Sequence, residues 1–188
     1  MKMSELNNIA LKVIGKGKGI LAADESTGTM TKRLNSVKVE SSAESRRNFR
    51  ETLFSSDSMK NCIGGVILYD ETIKQSSSSG KKIPELISDT GAIPGIKVDT
   101  GAKVLASSPE EKITEGLDGL RERLKEYHKL GARFTKWRAV YIISKDCPSK
   151  LSIVSNAHAL ARYAALVQEN GMVPIVEPEV LMDGDHTA

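Results

Sequence analysis

The stretch GGVILY, residues 64–69, decides how this chain is organised. It is an almost uninterrupted apolar run of strand length, and VPIVEP at residues 173–178 has the same character. Runs with so little polar alternation are typical of parallel strands that are covered on both faces. Because longer segments with helical periodicity separate such runs, the sequence predicts an α/β protein built from successive βα units.

Short apolar runs along the whole chain predict five strands, at residues 19–23, 64–69, 95–99, 134–141 and 173–177. Five βα steps suit either an open doubly wound sheet or part of a closed eight-stranded barrel, and periodicity does not separate the two. The segment DESTGT after the first strand has one glycine and lacks the dinucleotide fingerprint. Nicotinamide binding is therefore disfavoured.

Helix signals fall between these strands. Ser41 and Glu44 are spaced as a capping box for a helix that runs through Phe54. Pro109 followed by two glutamates indicates a second helix start, and this helix is expected to reach about Leu130. Both helices are expected to cover the sheet.

A third helix is predicted to begin near Pro148 and to end before Gly171. Its apolar residues recur at helical spacing, so one side of it is expected to pack on the sheet. The residues assigned to that side are Leu151, Val154, Ala157, Leu160, Ala161 and Ala164.

The overall composition indicates a soluble globular protein, of which residues 1–188 are one domain or part of one. The chain has 27 Lys and Arg against 24 Asp and Glu, a net charge of +3, and only 4% aromatic residues. This balance gives no reason to expect nucleic acid as a partner. The first 21 residues are interrupted by Asn, Lys and Gly, and no stretch has the length of a membrane span, so no membrane partner is expected.

Cysteine usage suggests the cellular compartment. Cys62 and Cys147 are isolated and form no close-spaced framework. Such cysteines are typical of buried thiols in a reducing compartment, so a cytoplasmic location is expected.

Ionisable residues stand at or inside the predicted strand ends. They are Asp24, Lys97, Lys136, Arg138, Glu177 and Glu179. Side chains two positions apart on a strand share a face. Lys136 therefore shares a face with Arg138, and Glu177 shares one with Glu179. Because unpaired burial would cost several kcal/mol for each group, the acids and bases are expected to compensate one another. Active sites of parallel α/β folds lie at this end of the strands, although any one of these residues would equally suit a strand-end salt bridge.

Other kinds of site lack their patterns. His128, His158 and His186 lie far apart and form no metal-binding motif, so no metal is expected. The chain also contains neither a GxxxxGK[ST] phosphate loop nor a GxSxG nucleophile elbow.

Long motifs resemble one family. LAADESTG at residues 21–28, TKWR at 135–138 and VEPE at 176–179 lie within segments that, in order over nearly the whole chain, are similar to class I fructose-bisphosphate aldolases. The resemblance implies a (β/α)8 TIM barrel, of which about the first five units are present, and no cofactor. It also implies the glycolytic and gluconeogenic cleavage of fructose 1,6-bisphosphate to dihydroxyacetone phosphate and glyceraldehyde 3-phosphate through a lysine imine. Members of the family are usually cytosolic homotetramers.

The resemblance also implies roles for individual residues. Those that match catalytic positions of the family are Asp24, Lys136, Glu177 and Glu179. Those that match substrate-binding and phosphate-binding positions are Ser26, Arg33, Arg46, Lys97 and Arg138. Glu177 matches the principal acid/base, and Lys136 matches a lysine that assists carbinolamine formation.

The imine-forming lysine of the family matches no position of this chain. The family carries that lysine on its sixth strand and further phosphate ligands on the seventh and eighth, whereas this sequence stops at Ala188, just past its fifth strand. The expectation is therefore a full-length aldolase of which these 188 residues alone have little or no activity. The alternative is a non-catalytic short form that binds a phosphate ligand or associates with intact subunits.

Overall fold

The computed structural model of the chain describes residues 3–187. The helices are α1 Met3–Val13, α2 Thr27–Ser36, α3 Ala43–Phe54, α4 Met59–Cys62, α5 Asp70–Ile73, α6 Ile83–Asp89, α7 Leu120–Lys129 and α8 Lys150–Glu169. The strands are β1 Gly19–Ala23, β2 Ile63–Leu68, β3 Ile93–Lys97, β4 Gly101–Leu105, β5 Ser108–Glu115, β6 Phe134–Tyr141 and β7 Val173–Val180.

Five of these strands form one parallel sheet in the order β1-β2-β3-β6-β7. They are the five predicted strands, so the α/β prediction is confirmed. Only the bounds differ, since β3 lies two residues earlier than expected and β7 continues to Val180. The remaining two strands, β4 and β5, pair with each other as an antiparallel hairpin.

The parallel sheet is curled. In a flat sheet, the three strand spacings between β1 and β6 would separate these strands by about 14 Å. Nevertheless, Lys136 Nζ on β6 lies 3.4 Å from the carboxylate of Asp24, directly after β1. The inner face is therefore concave, as in part of a barrel, while Trp137 and Ala139 on the opposite face of β6 belong to the larger core that the helices cover.

Helix α1 closes the end of the sheet at which the strands begin. Val13 packs with Ile67 and Phe134 in a small apolar cluster inside the curl. The helix approaches β2 so closely that a Cβ added at Gly64 would lie 2.2 Å from the Val13 carbonyl oxygen. A residue without a side chain is therefore required at this crossing.

We expect the Gly64→Ala substitution to lower the free energy of unfolding by about 1–3 kcal/mol, because the atoms that it meets are backbone and α1 has to shift. Urea unfolding followed by circular dichroism measures this change. Gly28→Ala is the matched control, since Gly28 lies in α2 and its Cβ would meet only Ser26 Oγ, at 4.0 Å. That variant is expected to be more stable by about 0.5–1 kcal/mol. Equal effects at the two sites would contradict the close contact.

The helix predicted from Pro109 to about Leu130 is wrong in its first half. Residues 108–115 form strand β5, in which Glu111 and Thr114 are buried while Glu110, Lys112 and Glu115 are exposed. The helix begins only at Leu120, after Gly116 and Gly119 take positive φ angles of 128° and 64°. The proline and glutamates that resemble a helix start are therefore part of the hairpin.

The first-turn contacts of α3 also differ from the prediction. Ser42 caps this helix, and its partner in the capping box is Ser45, so the assignment of Ser41 and Glu44 is wrong. Arg46 instead binds Ser41, whose hydroxyl is 3.1 Å from the guanidinium. The helix itself ends at Phe54, as expected.

The predicted extent of helix α8 is confirmed, but a different side of the helix is buried. Ser149 caps its first turn, and its buried side is formed by Ser152, Asn156, Ala159, Leu160, Tyr163 and Val167. Leu151 and Val154 are exposed. The polar residues of the buried side find partners in the β4–β5 hairpin, since Asn156 donates to the Lys112 carbonyl at 2.9 Å.

The two cysteines are free thiols. Cys62 is exposed and Cys147 is half-buried. The expectation that both are buried is therefore wrong, most clearly for Cys62.

Candidate active site

A cavity of about 480 Å³ opens where β1, β2, β3 and β6 end. This is the end of the sheet opposite helix α1. Six of the nine candidate residues line the cavity: Asp24, Ser26, Arg33, Lys97, Lys136 and Arg138. The sheet therefore brings together residues that lie more than 100 positions apart in the sequence.

Lys136 lies at the centre of the charged wall. Two-residue alternation along β6 places it on the concave face, between Phe134 and Arg138. Its Nζ lies 3.4 Å from Asp24 Oδ2 and 3.3 Å from Glu177 Oε2. Because the side chains of Lys136 and Asp24 are each only 12% exposed, the ammonium interacts with the Asp24 carboxylate largely out of solvent.

Two further cations have carboxylate partners. Lys97 Nζ is 2.7 Å from Asp99 Oδ1, and Asp99 also accepts the Gly101 N–H at 3.1 Å. Arg138 Nε donates to Glu179. This hydrogen bond raises the pKa of Arg138 and lowers the pKa of Glu179, so the pair is held in its charged form.

The opposite rim is formed by the turn into α2. Ser26 caps this helix and accepts the Thr29 N–H at 3.3 Å. Arg33, one helical turn beyond Thr29, donates to Glu25. The turn therefore presents two hydroxyls and one guanidinium to the cavity, and these groups are donors suited to a phosphate.

Three candidates do not line the cavity. Glu177 and Glu179 bind its cations, whereas Arg46 lies apart from it. Its guanidinium forms a two-pronged ion pair with Glu71, with Nε and Nη2 lying 2.9 and 2.5 Å from the carboxylate oxygens. The hydrogen bonds from Arg46 lower the pKa of Glu71. In this structure Arg46 joins α3 to α5.

Two acidic residues of the site were not among the candidates. Glu25 lies directly after Asp24 and binds Arg33, and Asp99 lies two positions after Lys97 and binds its ammonium. The signal for Asp99 was in the sequence, because the alternation that places Lys97 on the inner face places residue 99 there too. Nothing in the sequence pairs Glu25 with a particular cation.

The charged groups at the cavity include one carboxylate more than there are cations. Lys97, Lys136, Arg138 and Arg33 are its cations, and the five carboxylates described above face them. Carboxylates placed beside a lysine in a partly dry pocket suit proton transfer. Within residues 3–187 there is no group of three or more His, Cys, Asp or Glu side chains placed to hold a metal ion.

The described helices include none with the length and apolar character needed to cross a membrane.

The curled parallel sheet and the lysine–carboxylate cavity at its strand ends define an α/β protein of the barrel class. The sequence model of class I fructose-bisphosphate aldolase matches residues 5–188. The chain therefore belongs to the class I fructose-bisphosphate aldolase family of glycolytic lyases, as the motifs predicted.

Individual relatives agree with this assignment. A probable class 1 fructose-bisphosphate aldolase of Xylella fastidiosa is 55% identical over 186 residues, which are 99% of this chain and 56% of that protein. Fructose-bisphosphate aldolase B of Rattus norvegicus is 55% identical over 183 residues, 97% of this chain and 50% of that protein. The chain thus spans about half the length of the curated relatives it matches.

A solved structure matches the fold closely. It is a fructose-bisphosphate aldolase from Plasmodium falciparum in complex with TRAP and a small-molecule inhibitor. The TM-score is 0.95 at 48% sequence identity, over 98% of this chain and 54% of that one. The curled five-stranded sheet therefore corresponds to part of a TIM barrel.

Proposed function

We propose that this chain supplies one side of an aldolase active site that cleaves fructose 1,6-bisphosphate reversibly into two triose phosphates. The observation that carries the proposal is the position of Lys136 between Asp24 and Glu177 on the concave face of the sheet. Residues 1–188 would form a single partial barrel domain of about five βα units. We place the whole protein in the cytoplasm as a homotetramer, by analogy with the family.

In this proposal each side chain has a task. Glu177 exchanges the protons that are lost and gained as a carbinolamine dehydrates, while Lys136 stabilises the negative charge of its carboxylate. Asp24 accepts hydrogen bonds from substrate hydroxyls, and Glu179 keeps Arg138 in place. The imine itself forms on a lysine that the family carries elsewhere, and its cationic nitrogen accepts the electrons of the broken carbon–carbon bond.

The phosphates require more cations than this chain provides. Arg33, Ser26, Lys97 and Arg138 are the proposed phosphate and substrate contacts. Because each of these cations already has a carboxylate partner, a bisphosphate has to displace an acid or gain further donors from the rest of the family's barrel. We therefore expect the isolated chain to bind the substrate weakly.

Calorimetric titration with fructose 1,6-bisphosphate at low salt tests the assignment. We expect Arg138→Met to weaken binding about 10- to 100-fold, because it removes a charged donor. Lys129→Met, on the exposed end of α7, is the matched control and is expected to bind as the unchanged chain does. Binding that is indifferent to Arg138 would refute this placement of the substrate.

A non-catalytic role for this length is the second candidate. The observation that favours it is the edge strand β7, on which Val176 and Val180 are 46% and 49% exposed. Such a strand offers unpaired backbone groups and apolar side chains to another chain. Co-purification of the tagged chain with an intact aldolase subunit distinguishes this role, provided that the interaction is lost when Val176 is replaced by lysine.

A further inference from the structure

Arg50 is a charged side chain that the proposed chemistry does not use. It lies on α3 and is 0% exposed, among the largest fully buried side chains of the described chain. Full burial of a guanidinium is costly unless specific partners compensate it. Its partners therefore indicate what the residue is for.

One of those partners, Glu25, belongs to the cavity wall. One Arg50 nitrogen, Nη2, donates to the Glu25 carbonyl oxygen at 2.6 Å and lies 3.5 Å from the Glu25 carboxylate. The other, Nη1, donates to Thr72 Oγ1 at 2.7 Å. Arg50 thus connects the turn that follows β1 to helix α5.

The turn that Arg50 holds carries the cavity groups of β1. Asp24, which contacts Lys136, precedes Glu25, and Ser26, which caps α2, follows it. The same Glu25 carboxylate also receives Arg33. With a 59% exposed side chain, Arg33 is free to leave that carboxylate for a ligand, whereas the buried Arg50 is not.

We propose that Arg50 is a positioning residue of the active site, which fixes the Asp24–Ser26 turn. It keeps the Asp24 carboxylate in contact with Lys136. It also holds Glu25 in position when Arg33 leaves it to bind a phosphate. The phosphate part rests on the proposed function; the positioning of Asp24 does not. A merely structural arginine would instead support α3 and α5 without affecting Lys136.

Site-resolved reductive methylation of the lysines, read by mass spectrometry without any ligand, tests the positioning. In Arg50→Met we expect Lys136 to react about fivefold faster, because it loses a carboxylate contact worth roughly 1 kcal/mol. Lys97 is the internal control, since its partner Asp99 has no contact with Arg50. Arg50→Lys, which keeps the charge, is expected to restore part of the protection.

Thr72→Val is the matched control, because it removes the other Arg50 contact and leaves Glu25 in place. It is expected to lower the melting temperature while the ratio of Lys136 to Lys97 labelling stays unchanged. Equal acceleration of both lysines in Arg50→Lys, or the same ratio change in Thr72→Val, overturns the proposal. Failure of the wild-type chain to bind fructose 1,6-bisphosphate would count against the proposed function alone, since the labelling uses no ligand.

Discussion

Purified by itself, the chain is expected to cleave fructose 1,6-bisphosphate at least about 10⁴-fold more slowly than a full-length class I aldolase, because removal of a covalent nucleophile costs rates of this order. We infer from the family motifs that none of its lysines is the imine-forming lysine. Lys136 is no substitute, since its ammonium is held between Asp24 and Glu177. A coupled assay for triose phosphate, with protein from a host that lacks aldolase, measures the rate.

Complementation supplies the control. When the chain is mixed with the carboxyl-terminal half of a relative such as the Xylella fastidiosa protein, activity is expected to appear, and borohydride is expected to trap the substrate on the added half only. The Glu177→Gln variant of the chain should not support this recovery. Trapping on a lysine of the 188-residue chain itself would contradict the assignment.

The second large effect is expected in the small apolar cluster beside helix α1. Phe134 is 1% exposed, and its ring lies where Gly95 and Gly65 leave space. A Cβ at Gly95 would lie 2.3 Å from the ring. We expect Phe134→Ala to lower the free energy of unfolding by about 3–5 kcal/mol, because it leaves a cavity between the sheet and α1. Urea unfolding measures the loss.

A double-mutant cycle isolates this contact. Gly95→Ala alone is expected to cost about 1–3 kcal/mol, because the ring has to move. In the Phe134→Ala background the added methyl meets empty space, so most of that cost should disappear. Additive effects would show that the ring and Gly95 are not in contact.

The parallel strands were predictable because burial on both faces leaves apolar runs such as GGVILY that need no partner information. The β4–β5 hairpin was not, because Pro109 and the glutamates after it obey helix-start statistics equally well. What decides between them is tertiary: Glu111 accepts the Ser149 N–H at 2.7 Å, a contact across 38 residues. Local propensity carries no information about such a partner.

The candidate site, too, was predictable only in part. The charges at strand ends identified Asp24, Lys136 and Arg138, and the family motifs added Ser26; all four line one cavity. Arg46 was assigned by the family resemblance alone, and its two-pronged pair with Glu71 lies outside that cavity. Buried ion pairs depend on geometry between elements, which no sequence spacing records.

Helix α1 has a practical consequence for experiments on this chain. Because it closes the end of the curl opposite the cavity, a tether joined ahead of it leaves from the far side of the molecule. A biosensor surface that captures the chain through an amino-terminal tag will therefore hold the cavity facing the flowing analyte.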